Sequence, residues 1–316
     1  MVAFYNHSED QAGFHFDGST WTRFGPPPTG DPTAGNYNVS AAAAVASAPL
    51  HVYAVEADTN VLSISSDGGL TWTQRTITGL PTSPTPAIFS LWARAVGEVY
   101  LLEARGNAGM DGIWRTLDDG VTWARIVPFS LGLNGFGSHM AVGTSKLFYA
   151  VHLSTSPDTW HINRCNLDGT GIETWASHTF TPGGVTAGIL LRAMADDFVI
   201  ATKFPSGAAA PVGFVWKVDA SGITDVRPSG LNRPWDALPL TVTQWLAVGG
   251  VSTSPFEDVQ VYRTTDAGAT WTSVVNAADP LDDFGDWTVF GPGGMASVCP
   301  TVVTVSIPSR LATIVG

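Results

Sequence analysis

The feature that most constrains the fold of this chain is an eight-residue motif that occurs three times. It reads small hydroxyl, any residue, Asp, any residue, Gly, any residue, Thr, Trp, and its copies occupy residues 65–72, 116–123 and 264–271. Asp accepts hydrogen bonds from nearby backbone amides and Gly adopts positive φ, so the motif predicts a tight turn whose Trp enters the next strand. The residues that define the turns are Asp67, Gly69, Thr71, Trp72, Asp118, Gly120, Thr122, Trp123, Asp266, Gly268, Thr270 and Trp271.

The spacing of these copies indicates degenerate copies before and between them. Asp118 follows Asp67 by 51 residues, and Asp266 follows Asp118 by 148 residues, which is close to three further periods. Weaker versions of the motif stand near the expected places, at Asp17 with Trp21, at Asp168 with Trp175, and at Asp219. The six aspartates define units of 47–51 residues, a period typical of β-propellers.

Each unit reads as four short strands, with the motif between the third and the fourth. The predicted strands are 39–48, 51–56, 61–65 and 71–77 in the second unit, and 87–96, 99–103, 113–116 and 121–127 in the third. The first unit begins too late to hold an inner strand, whereas residues 285–316 contain strands without a motif of their own. We therefore predict one all-β domain, residues 1–316, that forms a six-bladed propeller of four-stranded antiparallel blades. C-terminal strands would close it by joining the N-terminal blade, which removes free sheet edges; seven blades are the alternative.

The motif resembles the Asp-box, also called the bacterial neuraminidase (BNR) repeat. Asp-box β-propellers include sialidases, xyloglucanases, sortilin-type receptors, photosystem assembly factors and viral structural proteins. The resemblance covers most of the chain but consists of turn residues, so it implies a fold without fixing a function. It also implies that the box residues are structural, and that replacing one costs stability and leaves any binding site unchanged.

The sialidase motifs themselves are missing from the sequence. Sialidases resemble one another in an Arg triad, whose first member lies in an Arg-Ile-Pro motif before the first box, and in a Tyr nucleophile paired with a Glu. No arginine precedes Asp17, Arg23 has a different sequence context, and Tyr262, with Glu257 nearby, lies in a strand pattern. We therefore predict no catalytic residues, with a sialidase-type glycoside hydrolase as the alternative.

Charge and composition exclude several classes of partner. A net charge of −12 disfavours binding to nucleic acid, and no segment has the roughly 18 apolar residues that a membrane span requires. Two cysteines, Cys165 and Cys299, make neither a disulfide framework nor a zinc site, and we predict free thiols and no cofactor. No export signal is visible at the N-terminus, so the expected location is a virion for a phage protein and the cytoplasm otherwise.

Two polar segments are candidate binding sites on the loop face opposite the boxes. Arg233, Trp235 and Asp236 combine a cation, an aromatic ring and a carboxylate, which suits stacking on a sugar or anchoring a partner. The alternative is that the Trp covers a gap between blades. A weak Ca²⁺ candidate, with a solvated acidic turn as its alternative, comprises Asp279, Asp282, Asp283 and Asp286.

These observations favour a non-enzymatic propeller that acts as a structural or adhesion module of a larger assembly. We expect a virion component, such as a phage tail or capsid-surface protein, whose partners are other protein subunits and surface glycans. The second alternative, after a hydrolase, is an intracellular assembly factor resembling the photosystem type, which the acidic charge disfavours because such partner sites are basic.

Overall fold

A computed structural model describes the backbone over most of the chain, and the structural statements below concern only that part. The described residues are 2–5, 12–16, 21–24, 39–45, 47–56, 60–80, 88–103, 111–129, 140–153, 159–179, 189–203, 213–250, 259–276, 295–299, 302–307 and 310–315. The chain divides into two compact units, residues 1–133 (unit 1) and residues 134–316 (unit 2), which we describe in turn.

Unit 1 contains a three-stranded sheet followed by two four-stranded sheets, all antiparallel. The first sheet consists of β1 (Val2–Tyr5), β2 (Ala12–Phe16) and β3 (Trp21–Phe24). The second consists of β4 (Val39–Val45), β5 (Ala48–Glu56), β6 (Val61–Ser65) and β7 (Thr73–Thr76). The third consists of β8 (Ile88–Ala95), β9 (Glu98–Glu103), β10 (Gly112–Thr116) and β11 (Ala124–Pro128).

Unit 2 contains three four-stranded antiparallel sheets and a final three-stranded sheet. The first consists of β12 (Met140–Val142), β13 (Lys146–Leu153), β14 (Thr159–Asn166) and β15 (Glu173–Thr179). The second consists of β16 (Ile189–Ala195), β17 (Phe198–Lys203), β18 (Phe214–Asp219) and β19 (Gly222–Asp225). The third consists of β20 (Arg233–Pro239), β21 (Trp245–Gly250), β22 (Val259–Thr264) and β23 (Thr272–Asn276). The last consists of β24 (Met295–Cys299), β25 (Val302–Ile307) and β26 (Arg310–Val315).

The prediction of four-stranded antiparallel blades is confirmed, but the predicted number of blades is wrong. Among the described residues there are five four-stranded sheets, which contradicts six blades and also the alternative of seven. In the described part of the chain, the C-terminal strands form their own three-stranded sheet and do not add a fourth strand to β1–β3. The reason is local: β24, β25 and β26 are separated by two residues each, and such short connections favour pairing with the sequence neighbour.

Neighbouring four-stranded sheets within each unit pack through their apolar faces. In unit 1, the side chains of the two four-stranded sheets form one core, to which Tyr53, Leu62, Leu101 and Trp114 belong. In unit 2, Phe198 and Val215 of one sheet pack with Trp245 of the next. The fourth strand β7, with the sequence TQRT, is polar and mostly exposed, which suits a strand at the sheet edge. The described residues contain no helix that is long and apolar enough to cross a membrane.

Candidate functional site

The three motifs form the same hydrogen-bonded turn, and we call them the repeat turns (residues 65–72, 116–123 and 264–271). In the first, the Ser65 hydroxyl accepts a bond from the Gly69 amide at 2.7 Å and donates to Asp67 Oδ1 at 2.8 Å. Asp67 accepts the Thr71 amide at 2.9 Å and the Thr71 hydroxyl at 2.6 Å. The other two repeat turns make the same four bonds at 2.6–3.0 Å. Their Asp, Gly and Thr groups therefore stabilise the turn itself.

These bonds also keep the turn carboxylates ionised. The hydroxyl and amide of Thr71 lower the pKa of Asp67 from 3.8 to about 2. Thr122 and Thr270 lower the pKa of Asp118 and of Asp266 to about 2 in the same way. The repeat turns thus place fixed negative charges on the surface at any physiological pH.

Acid should weaken the fold through these three carboxylates. Their folded-state pKa of about 2 lies below the unfolded value of 3.8, so the stability they add is present above pH 3.8 and is lost as the pH falls towards 2. We expect the urea midpoint, followed by tryptophan fluorescence, to fall over this range. The fall should be smaller in a triple variant with Asp67→Asn, Asp118→Asn and Asp266→Asn, and parallel curves for the two proteins would contradict this assignment.

The degenerate motifs form shorter turns. Asp168 Oδ1 accepts the amide and hydroxyl of Thr170 at 2.9 and 2.6 Å, and Asp219 Oδ1 accepts the same pair of groups from Ser221. In these turns the Asp carboxylate accepts hydrogen bonds from the residue two positions later, whereas in the repeat turns it accepts them from the residue four positions later. The shorter pattern is that of an Asx-turn. Trp175 stacks on the guanidinium group of Arg164 at 4.8 Å. Asp17 and the side chain of Trp21 lie outside the described residues.

In unit 1 a tyrosine ties one repeat turn to the preceding sheet. The Tyr53 hydroxyl donates to Asp119 Oδ1 at 2.6 Å and accepts the Gly97 amide at 2.8 Å. Asp119 has a φ of 61°, a left-handed conformation that is uncommon for a non-glycine residue. Burial and the bond to Asp119 raise the pKa of Tyr53, so the phenol is a permanent hydrogen-bond donor. This contact joins strand β5 to two turns of the next sheet.

Unit 1 also holds a Tyr–Glu pair flanked by two arginines, a combination that we did not predict. The Tyr100 hydroxyl donates to Glu98 Oε1 at 2.7 Å, Arg115 binds the same oxygen at 2.7 Å, and Arg94 binds Oε2 at 2.7 Å. The pairing of β9 with β10 sets Tyr100 opposite Arg115. Part of the signal was present in the sequence, because Tyr100 lies on the predicted strand 99–103. Glu98 falls one residue before that range, and only the observed strand β9 includes it and sets the two residues on one face.

The hydrogen bonds within this cluster keep Glu98 ionised and Tyr100 protonated. Burial raises the pKa of Glu98, but hydrogen bonds from Tyr100, Arg94 and Arg115 outweigh it and hold the pKa below the ordinary value. Burial, reinforced by the bond to Glu98, raises the pKa of Tyr100. A nucleophilic phenol needs a base that takes its proton and also access to the substrate, and here Tyr100 is fully buried.

In unit 2 the predicted binding residues lie in a strand and not in a loop. Arg233, Trp235 and Asp236 belong to β20, and the placement that we predicted for them is wrong. The pairing of β20 with β21 shifts register between Pro234 and Asp236, a β-bulge that admits a proline and a turn-like sequence without ending the strand. The side chains of Arg233 and Trp235 lie outside the described residues, so their binding role stays a prediction.

Asp236 takes part in a buried ion pair between two sheets. Its side chain is 0% exposed. Arg192, in the first strand of the preceding sheet, donates to Oδ2 at 2.8 Å and to Oδ1 at 3.3 Å, and the Ala237 amide donates to Oδ1 at 2.8 Å. A carboxylate that is engaged in this way joins two sheets and has no face open to a ligand.

A second carboxylate joins two sheets of unit 2 at their turns. Asp196, between β16 and β17, accepts the amide and hydroxyl of Ser145 at 2.7 Å each and the Lys146 amide at 2.9 Å. Burial raises the pKa of Asp196, but the bonds from Ser145 and Lys146 outweigh it and lower the pKa.

Trp271 of the third repeat turn makes a further contact between sheets. Its indole N–H donates to the Val226 carbonyl at 2.7 Å.

The weak Ca²⁺ candidate cannot be placed, because Asp279, Asp282, Asp283 and Asp286 lie outside the described residues. Within the described ranges, no group of three or more His, Cys, Asp or Glu side chains is arranged to hold a metal ion.

Comparisons with known proteins show the fold. No family model matches the chain, and no curated protein matches it in sequence. A solved structure of YCF48 bound to D1 peptide has a TM-score of 0.58 at 14% identity and covers 96% of this chain and 84% of that one. The GH74 xyloglucanase from Xanthomonas campestris has a TM-score of 0.64 at 14% identity, covering 99% of this chain and 50% of that one. The Hadza microbial sialidase Hz136 has a TM-score of 0.50 at 13% identity, covering 85% and 62%.

At these identities the likeness carries the fold alone, which is a sialidase-like β-propeller, as we predicted. The chain spans only half the length of the xyloglucanase. Membership of the Asp-box family stays a prediction.

Proposed function

We propose that this chain is a non-enzymatic β-propeller that serves as a binding module in a larger protein assembly. The observation that carries the proposal is the Tyr100–Glu98 cluster. It is the described arrangement that most resembles a propeller glycosidase's Tyr–Glu pair, but both of its residues are buried and the tyrosine offers no exposed face to a substrate. In the related fold, YCF48 is seen bound to a D1 peptide, which supports a protein segment as the kind of ligand.

The hydrolase alternative requires groups that these residues do not offer. A retaining glycosidase needs an accessible nucleophile and a carboxyl group that exchanges protons with the substrate. The Tyr100 side chain is buried, and Arg94 and Arg115 keep Glu98 ionised and occupied. The likeness to a xyloglucanase and a sialidase concerns the fold and brings no residues into these roles.

The finer form of the proposal is a component of a virion, at a phage tail or capsid surface, whose partners are other subunits and surface glycans. The acidic net charge of −12 supports protein or glycan partners over nucleic acid, because a negative surface repels phosphate backbones.

Hydrolysis assays on the purified full chain test the proposal. We expect no release of product from a fluorogenic sialoside or from xyloglucan. We also expect Tyr100→Phe to act on stability, lowering the free energy of unfolding by about 1–3 kcal/mol because the variant loses a hydrogen bond to a charged group. Turnover of either substrate by the wild-type chain, abolished in a folded Tyr100→Phe variant, would overturn the proposal.

A further inference from the structure

Large apolar side chains are exposed at the turns of unit 1. They lie in, or directly beside, the turns that connect first with second strands and third with fourth strands in the two four-stranded sheets; Leu50 is the third residue of β5. We call them the apolar tips: Leu50 (45% exposed), Leu70 (59%), Val96 (55%), Leu117 (63%) and Val121 (56%). Single exposed apolar residues are ordinary, but several at one edge of a structure mark an interaction site.

The apolar tips lie at one end of the two sheets. In a four-stranded antiparallel meander, the first–second and third–fourth turns emerge at the same end. Backbone bonds join the turns within each sheet: the Gly68 amide donates to the Leu50 carbonyl at 2.8 Å, and the Asp119 amide donates to the Gly97 carbonyl at 3.1 Å. In each sheet, the turns that carry the apolar tips are therefore hydrogen-bonded to each other.

The turns of the two four-stranded sheets are also bonded to each other. Tyr53 of the β4–β7 sheet binds both Gly97 and Asp119 of the β8–β11 sheet, and Arg75 Nη1 lies 3.5 Å from the Asp118 carbonyl oxygen. The internal bonds of the repeat turns hold the backbone beneath Leu70 and Leu117. A surface that is ordered before binding loses little conformational entropy when a partner docks.

Negative charge accompanies the apolar tips. Asp67 lies in the turn that carries Leu70, and Asp118 lies between Leu117 and Val121. Thr71 and Thr122 hold the pKa of these two carboxylates at about 2, and their described partners are hydroxyl and amide groups, not cations. Unit 1 thus presents apolar side chains beside two ionised carboxylates.

We propose that the end of unit 1 formed by the apolar tips docks a segment of a partner protein that combines apolar side chains with Lys or Arg. Charge complementarity selects this occupant: cations on the segment would pair with Asp67 and Asp118, while its apolar side chains cover Leu70, Leu117 and Val121. A second copy of this chain is the less favourable occupant, because its net charge of −12 has the same sign as these carboxylates. The inference rests on the proposed function and names the surface and partner chemistry that it would use.

Fluorescence anisotropy with labelled peptides tests the docking surface. The probe is an amphipathic peptide of Lys and Leu, compared with a Glu/Leu peptide and a Lys/Ser peptide of the same pattern. We expect the Lys/Leu peptide to bind best, with affinity that falls as salt is added. The double variant Leu117→Ser/Val121→Ser should bind it about thirtyfold more weakly, because two contacts of about 1 kcal/mol each are lost.

Val274→Ser is the matched control, because Val274 is an exposed apolar residue of β23 in unit 2, outside the apolar tips. It should leave the affinity unchanged. The docking surface is wrong if no peptide binds, if the Glu/Leu peptide binds as well, or if the double variant binds as tightly as the wild type.

The same double variant separates this inference from the proposed function. If the wild type and the double variant are both incorporated into the native assembly, the docking surface is wrong and the proposed function stands. If the wild-type chain occurs alone and hydrolyses a glycan, the proposed function fails with it.

Discussion

Replacing Gly268 with alanine is expected to lower the free energy of unfolding by about 2–5 kcal/mol. Gly268 has a φ of +86°, where a side chain costs about 1–2 kcal/mol. An added Cβ would lie 2.8 Å from Val226 Cβ and 2.9 Å from Trp245 Cζ3, and such overpacking costs about 1–3 kcal/mol more. Urea unfolding followed by circular dichroism measures the loss. The result would show that the third repeat turn is pressed against the neighbouring sheet.

Gly222→Ala is the matched control for this prediction. Gly222 also has a positive φ, of +112°, but nothing lies within 4 Å of the Cβ that alanine would add. It should therefore show the backbone cost alone, about 1–2 kcal/mol. Equal losses in the two variants would mean that the contact of the repeat turn with Val226 and Trp245 is not tight.

Replacing Asp236 with alanine is expected to lower the free energy of unfolding by about 3–5 kcal/mol. The variant leaves the guanidinium group of Arg192, itself 21% exposed, without the carboxylate that neutralises it, and removal of one partner of a buried ion pair has a cost of this size. It also removes the acceptor of the Ala237 amide. Chemical denaturation with the same probe as above measures the effect.

The double variant Arg192→Met/Asp236→Leu provides the comparison. It replaces the pair with apolar groups of similar volume, and such replacements are often neutral or stabilising, so its stability should lie closer to the wild type. Asp236 would instead act in binding, as its sequence first suggested, if Asp236→Ala kept full stability and lost affinity for a ligand.

Local geometry was predictable wherever a short stretch of sequence determines it. The repeat turns follow from Asp, Gly and Thr at fixed positions, and the strands around them match the predicted ranges within three residues at each end. The blade count did not follow, because the spacing of Asp17 to Asp266 counts motifs and not paired strands. Whether β24–β26 join another sheet or pair among themselves depends on competing long-range and local pairing, which a motif does not encode.

The polar clusters were harder to predict, because each depends on pairing across strands or sheets. Asn232, Pro234 and the charged residues beside them resemble a loop, and only the bulge in β20 shows how they fit a strand. Glu98, Tyr100 and Arg115 become one site because β9 and β10 pair in a particular register. Since register is set by the whole sheet, the sequence revealed the residue types without showing which of them meet.

The structure of this chain within its native assembly, determined by cryo-electron microscopy, is the measurement that tests the proposed function most directly. We expect the chain to bury more than about 1,000 Å² against other proteins, the size expected of a specific interface, with Leu117 and Val121 inside it. A chain that buries no such area and instead holds a glycan against an accessible Tyr–Glu pair would show that the proposed function is wrong.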